Sequence, residues 1–149
     1  MKMKLSLVVP CYNEAENVAA FQDATIQAFD GCGYDYEIVF VDDGSRDATM
    51  FQLRKLFQEQ KCPVKVVSFS RNFGKESAIY AGLKQTSGEY VTLIDADLQQ
   101  RPEVVLEMLD VLNSDEELDC VAAYQQSRKE SAVLSAFKST FYKLINKIS

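Results

Sequence analysis

The stretch Leu5-Ser6-Leu7-Val8-Val9-Pro10-Cys11-Tyr12-Asn13-Glu14-Ala15-Glu16 passes from an apolar run into a polar loop. A continuous run of this kind marks a strand covered on both faces, as in a parallel sheet. Asn13, with Glu16 three residues later, has the spacing of a capping box ahead of Val18 and Phe21, so a helix is expected to follow. The same unit recurs along the chain. Glu37 to Val41, Val64 to Phe69, Tyr90 to Ile94 and Cys120 to Ala123 are short runs rich in Val and Ile, read as strands two to five. Ser45 is placed to cap a helix carrying Met50, Leu53 and Leu56. Pro102 opens another, in which Val105, Met108, Leu109 and Leu112 repeat at helical spacing. Alternation of this kind predicts an α/β fold, a mostly parallel sheet with helices on both faces.

Composition narrows the chemistry. The 149 residues fit one domain, and 47% hydrophobic residues are enough to build a core. A formal charge of -6 argues against a nucleic-acid partner, because a binder of phosphate backbones carries a basic surface. The chain has no histidine, which removes Ser/His/Asp triads, imidazole bases and imidazole metal sites. Cys11, Cys32, Cys62 and Cys120 are widely spaced with no CxxC pair, so free thiols are expected rather than a zinc ribbon. Two partial glycine motifs carry nothing. Gly31-Cys32-Gly33 precedes a strand instead of following one, and Gly74-Lys75 lacks the first glycine and the final Ser or Thr of a phosphate loop.

Ligands of open α/β sheets bind beyond the carboxyl ends of the strands, and here each of the first four strands runs into a polar cluster. These are Tyr12-Asn13-Glu14, Asp42-Asp43-Gly44-Ser45, Ser70-Arg71-Asn72 with Gly74-Lys75, and Asp95-Ala96-Asp97-Leu98-Gln99. For Asn13, Ser45 and Asp47 helix capping is the simpler reading. On an extended segment Asp95, Asp97 and Gln99 would point to one side, presenting three oxygen donors to a single point. Hard divalent cations, magnesium or manganese, take oxygen ligands and complete their shell with substrate phosphates.

Taken in order, Val9-Pro10-Cys11-Tyr12-Asn13-Glu14, Val41-Asp42-Asp43-Gly44-Ser45 with Asp47 and Thr49, Arg71-Asn72-Phe73-Gly74-Lys75, and the Asp-x-Asp segment Asp95 to Gln99 with Pro102-Glu103 resemble the family 2 glycosyltransferases. The branch most similar is that of the polyprenyl-phosphate glycosyltransferases, which includes dolichyl-phosphate mannose synthase. The resemblance implies the Rossmann-like GT-A fold, a nucleotide-diphospho-sugar donor, a divalent metal and transfer with inversion. It implies that Pro10, Tyr12, Glu14 and Asp42 surround base and ribose with Arg71 nearby, and that Asp95, Asp97 and Gln99 hold metal and diphosphate. Where relatives carry Gly, Arg and Arg after the fifth strand, this chain has Ala123, Gln125 and Arg128. Asp97 and Arg128 are the positions expected to serve catalysis.

The family's catalytic domains run well past this length. Residues 1–127 are therefore expected to be the donor-binding domain, and 128–149 a basic amphipathic helix leading to a missing remainder. Its stripe of Leu134, Phe137, Phe141, Ile145 and Ile148, with Lys138, Lys143 and Lys147, suits either packing on the sheet or a membrane surface. The expected location is the cytoplasmic face of a membrane, with a polyprenyl phosphate as acceptor. Alternatives are a saccharide acceptor, a nucleotide-sugar-binding module without turnover, and a phosphoacceptor signalling domain.

Overall fold

The computed structural model describes residues 4–123, in which strands and helices alternate throughout. The order is β1 (Lys4–Cys11), α1 (Val18–Phe29), β2 (Asp35–Asp42), α2 (Thr49–Glu59), β3 (Val64–Ser68), α3 (Lys75–Leu83), β4 (Tyr90–Leu93) and α4 (Glu103–Ser114). All three strand pairings are parallel, and the sheet order is β3-β2-β1-β4. The chain therefore builds outward from β1 to β3 and then crosses back to place β4 on the other side of β1. Right-handed crossovers in opposite directions put their helices on opposite faces.

The packing follows that rule. Leu7 and Val9 of β1, with Ile38 and Phe40 beside them on β2, pack in one core with Val18 and Phe21 of α1, Leu53 of α2, and Val105 and Leu109 of α4. Phe21 and Phe40 meet edge to face with centroids 6.0 Å apart, a favoured aromatic geometry. The alternate residues Val8, Val39 and Val41 face the other way, onto Ala78 of α3. A Cβ at Gly82 would lie 2.4 Å from Val8 Cγ1, so α3 sits closer to the sheet than any larger residue would permit. The small residues on its packing face also hid α3 from the apolar pattern in the sequence.

Three expectations are corrected. Cys120 to Ala123 form no strand: they run along a recess beside β4 without ladder hydrogen bonds. Four apolar residues mark a segment that can be covered, but pairing also needs a register that so short a run does not specify. Asn13 and Glu16 form no capping box, since α1 starts only at Val18 and no side chain caps it. Ser45 does not cap α2, which starts at Thr49. Asn13 and Ser45 instead join loops, as described below. The four cysteines are free, as expected.

At the amino-terminal end of the sheet the carboxylate of Glu37 is buried. It accepts hydrogen bonds from Ser6 Oγ at 2.7 Å and Ser87 N at 2.7 Å, and Lys4 and Lys65 each stand 3.1 Å from it. Burial by itself would raise its pKa; the hydrogen bonds from Ser6, Ser87 and Lys65 outweigh it and hold the group down at about 2. A carboxylate lowered by folding stabilises above its unfolded pKa, and loses that contribution as pH falls through the folded value. Glu37→Gln should therefore cost about 3 kcal/mol at neutral pH. Chemical denaturation from pH 7 downward should show the gap between the two proteins closing below pH 4.5 and vanishing near pH 2.

Candidate functional site

The reversal of strand order leaves a crevice between the carboxyl ends of β1 and β4, the switch point at which open α/β sheets bind ligands. A cavity of about 400 Å³ lies there, with walls that include Pro10 near the end of β1, Tyr12 and Glu14 after it, Lys75 at the start of α3, and Asp95 and Asp97 after β4. Strand alternation explains its position. Ile94 points into the α1 core, so Asp95 turns to the α3 side, where Lys75 Nζ holds its two oxygens at 2.7 and 2.9 Å. A second recess of about 650 Å³ adjoins the first and shares Asp95 and Asp97 with it. Its further walls include Gln99 and the apolar side chains of Val91, Val104, Met108 and Val121.

The loops forming the rim are bound to one another. Asn13 N donates to Ser45 Oγ at 2.9 Å, Arg46 N donates to Asn13 Oδ1 at 2.9 Å, and Glu14 N donates to Thr49 Oγ1 at 2.8 Å. Asp47 accepts from Ala15 N at 3.2 Å and from Thr49 N at 2.9 Å. The first and second loops thus form one unit, and Asn13 takes a left-handed φ of 57° within it. Asp43, a residue only 3% exposed, binds the third loop: its carboxylate accepts from Phe73 N at 2.7 Å and Gly74 N at 2.9 Å. Gly44 permits this approach. It has φ 67°, and a Cβ there would lie 2.3 Å from the carbonyl carbon of Arg71. The resemblance assigns Asp42 to the nucleotide and gives Asp43 no role; in the fold it is Asp43 that reaches the third loop and lines the cavity.

The segment after β4 is not extended. Residues 96–100 turn, Leu98 has φ 59°, and Gln99 N donates to Asp97 Oδ1 at 3.0 Å. A left-handed leucine costs on the order of 1 kcal/mol, and strain of this kind gathers at functional positions. The alternation of faces persists in spite of the turn: Ala96 is buried and Leu98 half-buried, whereas Asp97 and Gln99 are exposed. Asp95, Asp97 and Gln99 all line the larger recess, and the two carboxylates line the smaller one as well. Among the described residues no three His, Cys, Asp or Glu side chains cluster as a metal site.

Other positions are placed differently from one another. Tyr12 is 41% exposed at the rim. Asp42 is buried and accepts from Ser45 N at 3.2 Å and Ser68 Oγ at 3.4 Å, which turns it away from the cavity lining. The Arg71 guanidinium lies 4.8 Å over the Phe73 ring, outside the cavity wall. Arg128 and the stripe of residues 128–149 fall outside the described residues. Cys11 lies on the wall, but burial first, then the charges of Glu14, Asp42 and Asp95, push its thiol up and keep it protonated. It supplies neither a thiolate nucleophile nor a thiolate ligand.

This arrangement matches known proteins. The model of glycosyl transferase family 2 matches residues 6–147. CsbB of Bacillus subtilis (strain 168), named as a glycosyltransferase, is 41% identical over 96% of this chain and 43% of its own length. An uncharacterized glycosyltransferase of Synechocystis sp. is 37% identical over 100% of this chain and 46% of its own. Among solved structures, the mannosyltransferase PcManGT of Pyrobaculum calidifontis in complex with GDP-Man and Mn2+ superposes with a TM-score of 0.64. It is 26% identical over 75% of this chain and 33% of its own. Glucosyl-3-phosphoglycerate synthase of Mycobacterium tuberculosis with Mn2+, UDP and phosphoglyceric acid gives 0.61, at 27% identity over 78% of this chain and 41% of its own. The chain belongs to glycosyl transferase family 2, and its architecture is that of the GT-A glycosyltransferases. It spans a little under half the length of the curated relatives it matches.

The clamp at Asp43 makes a direct prediction. Asp43→Ala leaves two backbone N–H groups without their charged acceptor and should destabilise the chain by about 2–4 kcal/mol. Asp43→Asn retains an acceptor and should lose roughly half as much. Urea unfolding of both variants measures this, and equal stability of Asp43→Ala and the parent chain would show that the third loop is held by something else.

Proposed function

We propose that this chain is the donor-binding part of an inverting, metal-dependent glycosyltransferase that moves a sugar from a nucleoside diphosphate to a polyprenyl phosphate. The observation that carries this reading is the pair Asp95 and Asp97 on the wall shared by the two recesses at the switch point. In that reading Pro10, Tyr12 and Glu14 receive base and ribose in the smaller recess, with Asp42 and Arg71 supporting the loops around them. The diphosphate lies toward Asp95, Asp97 and Lys75, and the sugar faces the larger recess.

The donor set fits a hard divalent cation, magnesium or manganese: it is carboxylate oxygen without thiolate or imidazole, and diphosphate oxygens would complete the shell. Similar proteins solved with Mn2+ beside GDP-Man or UDP support the same assignment. When bound, such an ion offsets the charge that develops on the departing diphosphate. Asp95 and Asp97 would hold it, with Gln99 close by on the larger recess.

Transfer is then a single displacement. An acceptor phosphate oxygen forms a bond to the anomeric carbon while the bond from that carbon to the diphosphate oxygen breaks, and the nucleoside diphosphate leaves. A phosphate monoester is ionised near neutral pH, so a chain without histidine needs no strong base for this step. Arg128 is the cation expected to meet the acceptor phosphate. The choice of a polyprenyl phosphate follows the branch that the loop motifs resemble; the larger recess mixes apolar side chains with Thr92, Gln99, Gln100 and Arg101. A polyprenyl acceptor also places the whole protein at the cytoplasmic face of a membrane.

UDP or GDP at about 100 times its dissociation constant should stabilise the chain by about 2.7 kcal/mol in the presence of manganese or magnesium, a melting shift of several degrees. The shift should vanish with chelator, and Asp97→Asn should abolish it while leaving the stability of the free chain unchanged. Equal shifts with chelator would remove the metal from the mechanism, and no shift with any nucleotide would remove the donor site. Product analysis with polyprenyl phosphate against saccharide acceptors, on the whole protein, decides the acceptor.

A further inference from the structure

Among the described residues, Lys75 is the only cationic side chain on the wall of the smaller recess, where it faces Glu14, Asp43, Asp95 and Asp97. Asp43 is fully engaged by the backbone of the third loop, and Glu14 accepts from Asn17 Nδ2 at 2.6 Å. Asp97 accepts from Gln99 N at 3.0 Å, and Lys75 contacts both oxygens of Asp95. The pair is open to water, with side-chain exposures of 57% for Lys75 and 40% for Asp95. Exposed pairs of this kind are weak and separate at small cost. The first residue of α3 is also fixed in place: Asp43 holds the two residues before it, and Ala78 N donates to Gly74 O at 3.1 Å. The ammonium therefore swings on a flexible stem from an anchored root.

We propose that Lys75 is an exchangeable counter-ion. It occupies Asp95 while the recess is empty and transfers to the diphosphate when donor enters, which frees Asp95 for the divalent cation. This rests on the donor site proposed above. The consequence is a linkage of definite sign. Cation and ammonium compete for one carboxylate, so the cation alone binds weakly. Nucleoside diphosphate, by taking the ammonium away, raises the affinity for the cation, and reciprocity requires the cation to raise the affinity for the nucleotide. The lysine thereby makes nucleotide and cation arrive together.

The test uses the full chain and three variants, Lys75→Met, Lys75→Arg and Asp95→Asn, with free manganese followed by electron paramagnetic resonance and nucleotide binding by calorimetry. In Lys75→Met, manganese alone should bind up to about fivefold more tightly, the release of one exposed ion pair. UDP or GDP with manganese should bind about tenfold more weakly, for loss of a charge-assisted contact. Lys75→Arg should resemble the parent chain in both, and Asp95→Asn should weaken manganese binding. Both affinities falling together in Lys75→Met would mean that Lys75 merely positions Asp95, and both unchanged would mean a surface pair without a role; either result overturns the proposal. A parent chain that binds neither nucleotide with manganese overturns the donor-site reading first, and is told apart by needing no variant.

Discussion

Between β1 and β4 the direction in which the chain builds its sheet reverses, and right-handed crossovers then force α3 onto the face opposite α1 and α2. Helices that leave a parallel sheet on opposite faces part at the point of reversal, and the gap cannot be filled by the backbone of either. The polar residues that end β1 and β4 line that gap, with the start of α3 as its third wall. Gly82 matters for the same reason, since it sets how closely α3 lies on Val8 and so how its first turn stands relative to Asp95.

Charge is distributed over the fold in two contrasting ways. Glu37, at the amino-terminal end of the sheet, is surrounded by Ser6, Ser87, Lys4 and Lys65, so its carboxylate is satisfied and structural. At the carboxyl end, Asp43 is likewise consumed by two backbone N–H groups. Asp95 and Asp97 differ because their partners are a solvent-exposed ammonium and a single turn N–H. The distinction between structural and available acids is thus one of partner count and burial, not of residue type. A site that has to exchange ligands needs acids of the second kind held in place by acids of the first.

The rim loops illustrate how a scaffold with irregular connections stays ordered. Asn13, Ser45, Asp47 and Thr49 bond across from the first loop to the second, and Asp43 bonds from the second to the third. Each loop supplies partners for backbone groups of the next, so the donors and acceptors that leave the strands are satisfied without regular structure. Movement of one loop is therefore coupled to the others through named hydrogen bonds.

From the sequence alone, the parallel α/β class, four strands and the helices after β1, β2 and β4 were legible, because apolar runs and helical spacing record which residues must be covered. So was the gathering of polar clusters at one sheet edge, since parallel strands all end there. The family resemblance rested on those same clusters, and the match over residues 6–147 agrees with it. What the sequence could not state was partnership. The roles of Asn13 and Ser45 as bridges between loops, the reach of Asp43 to the third loop and the pairing of Lys75 with Asp95 all join residues that spacing along the chain does not relate. Burial is a property each residue carries in its own chemistry; contact depends on where a crossover delivers the partner, and only the folded chain decides that.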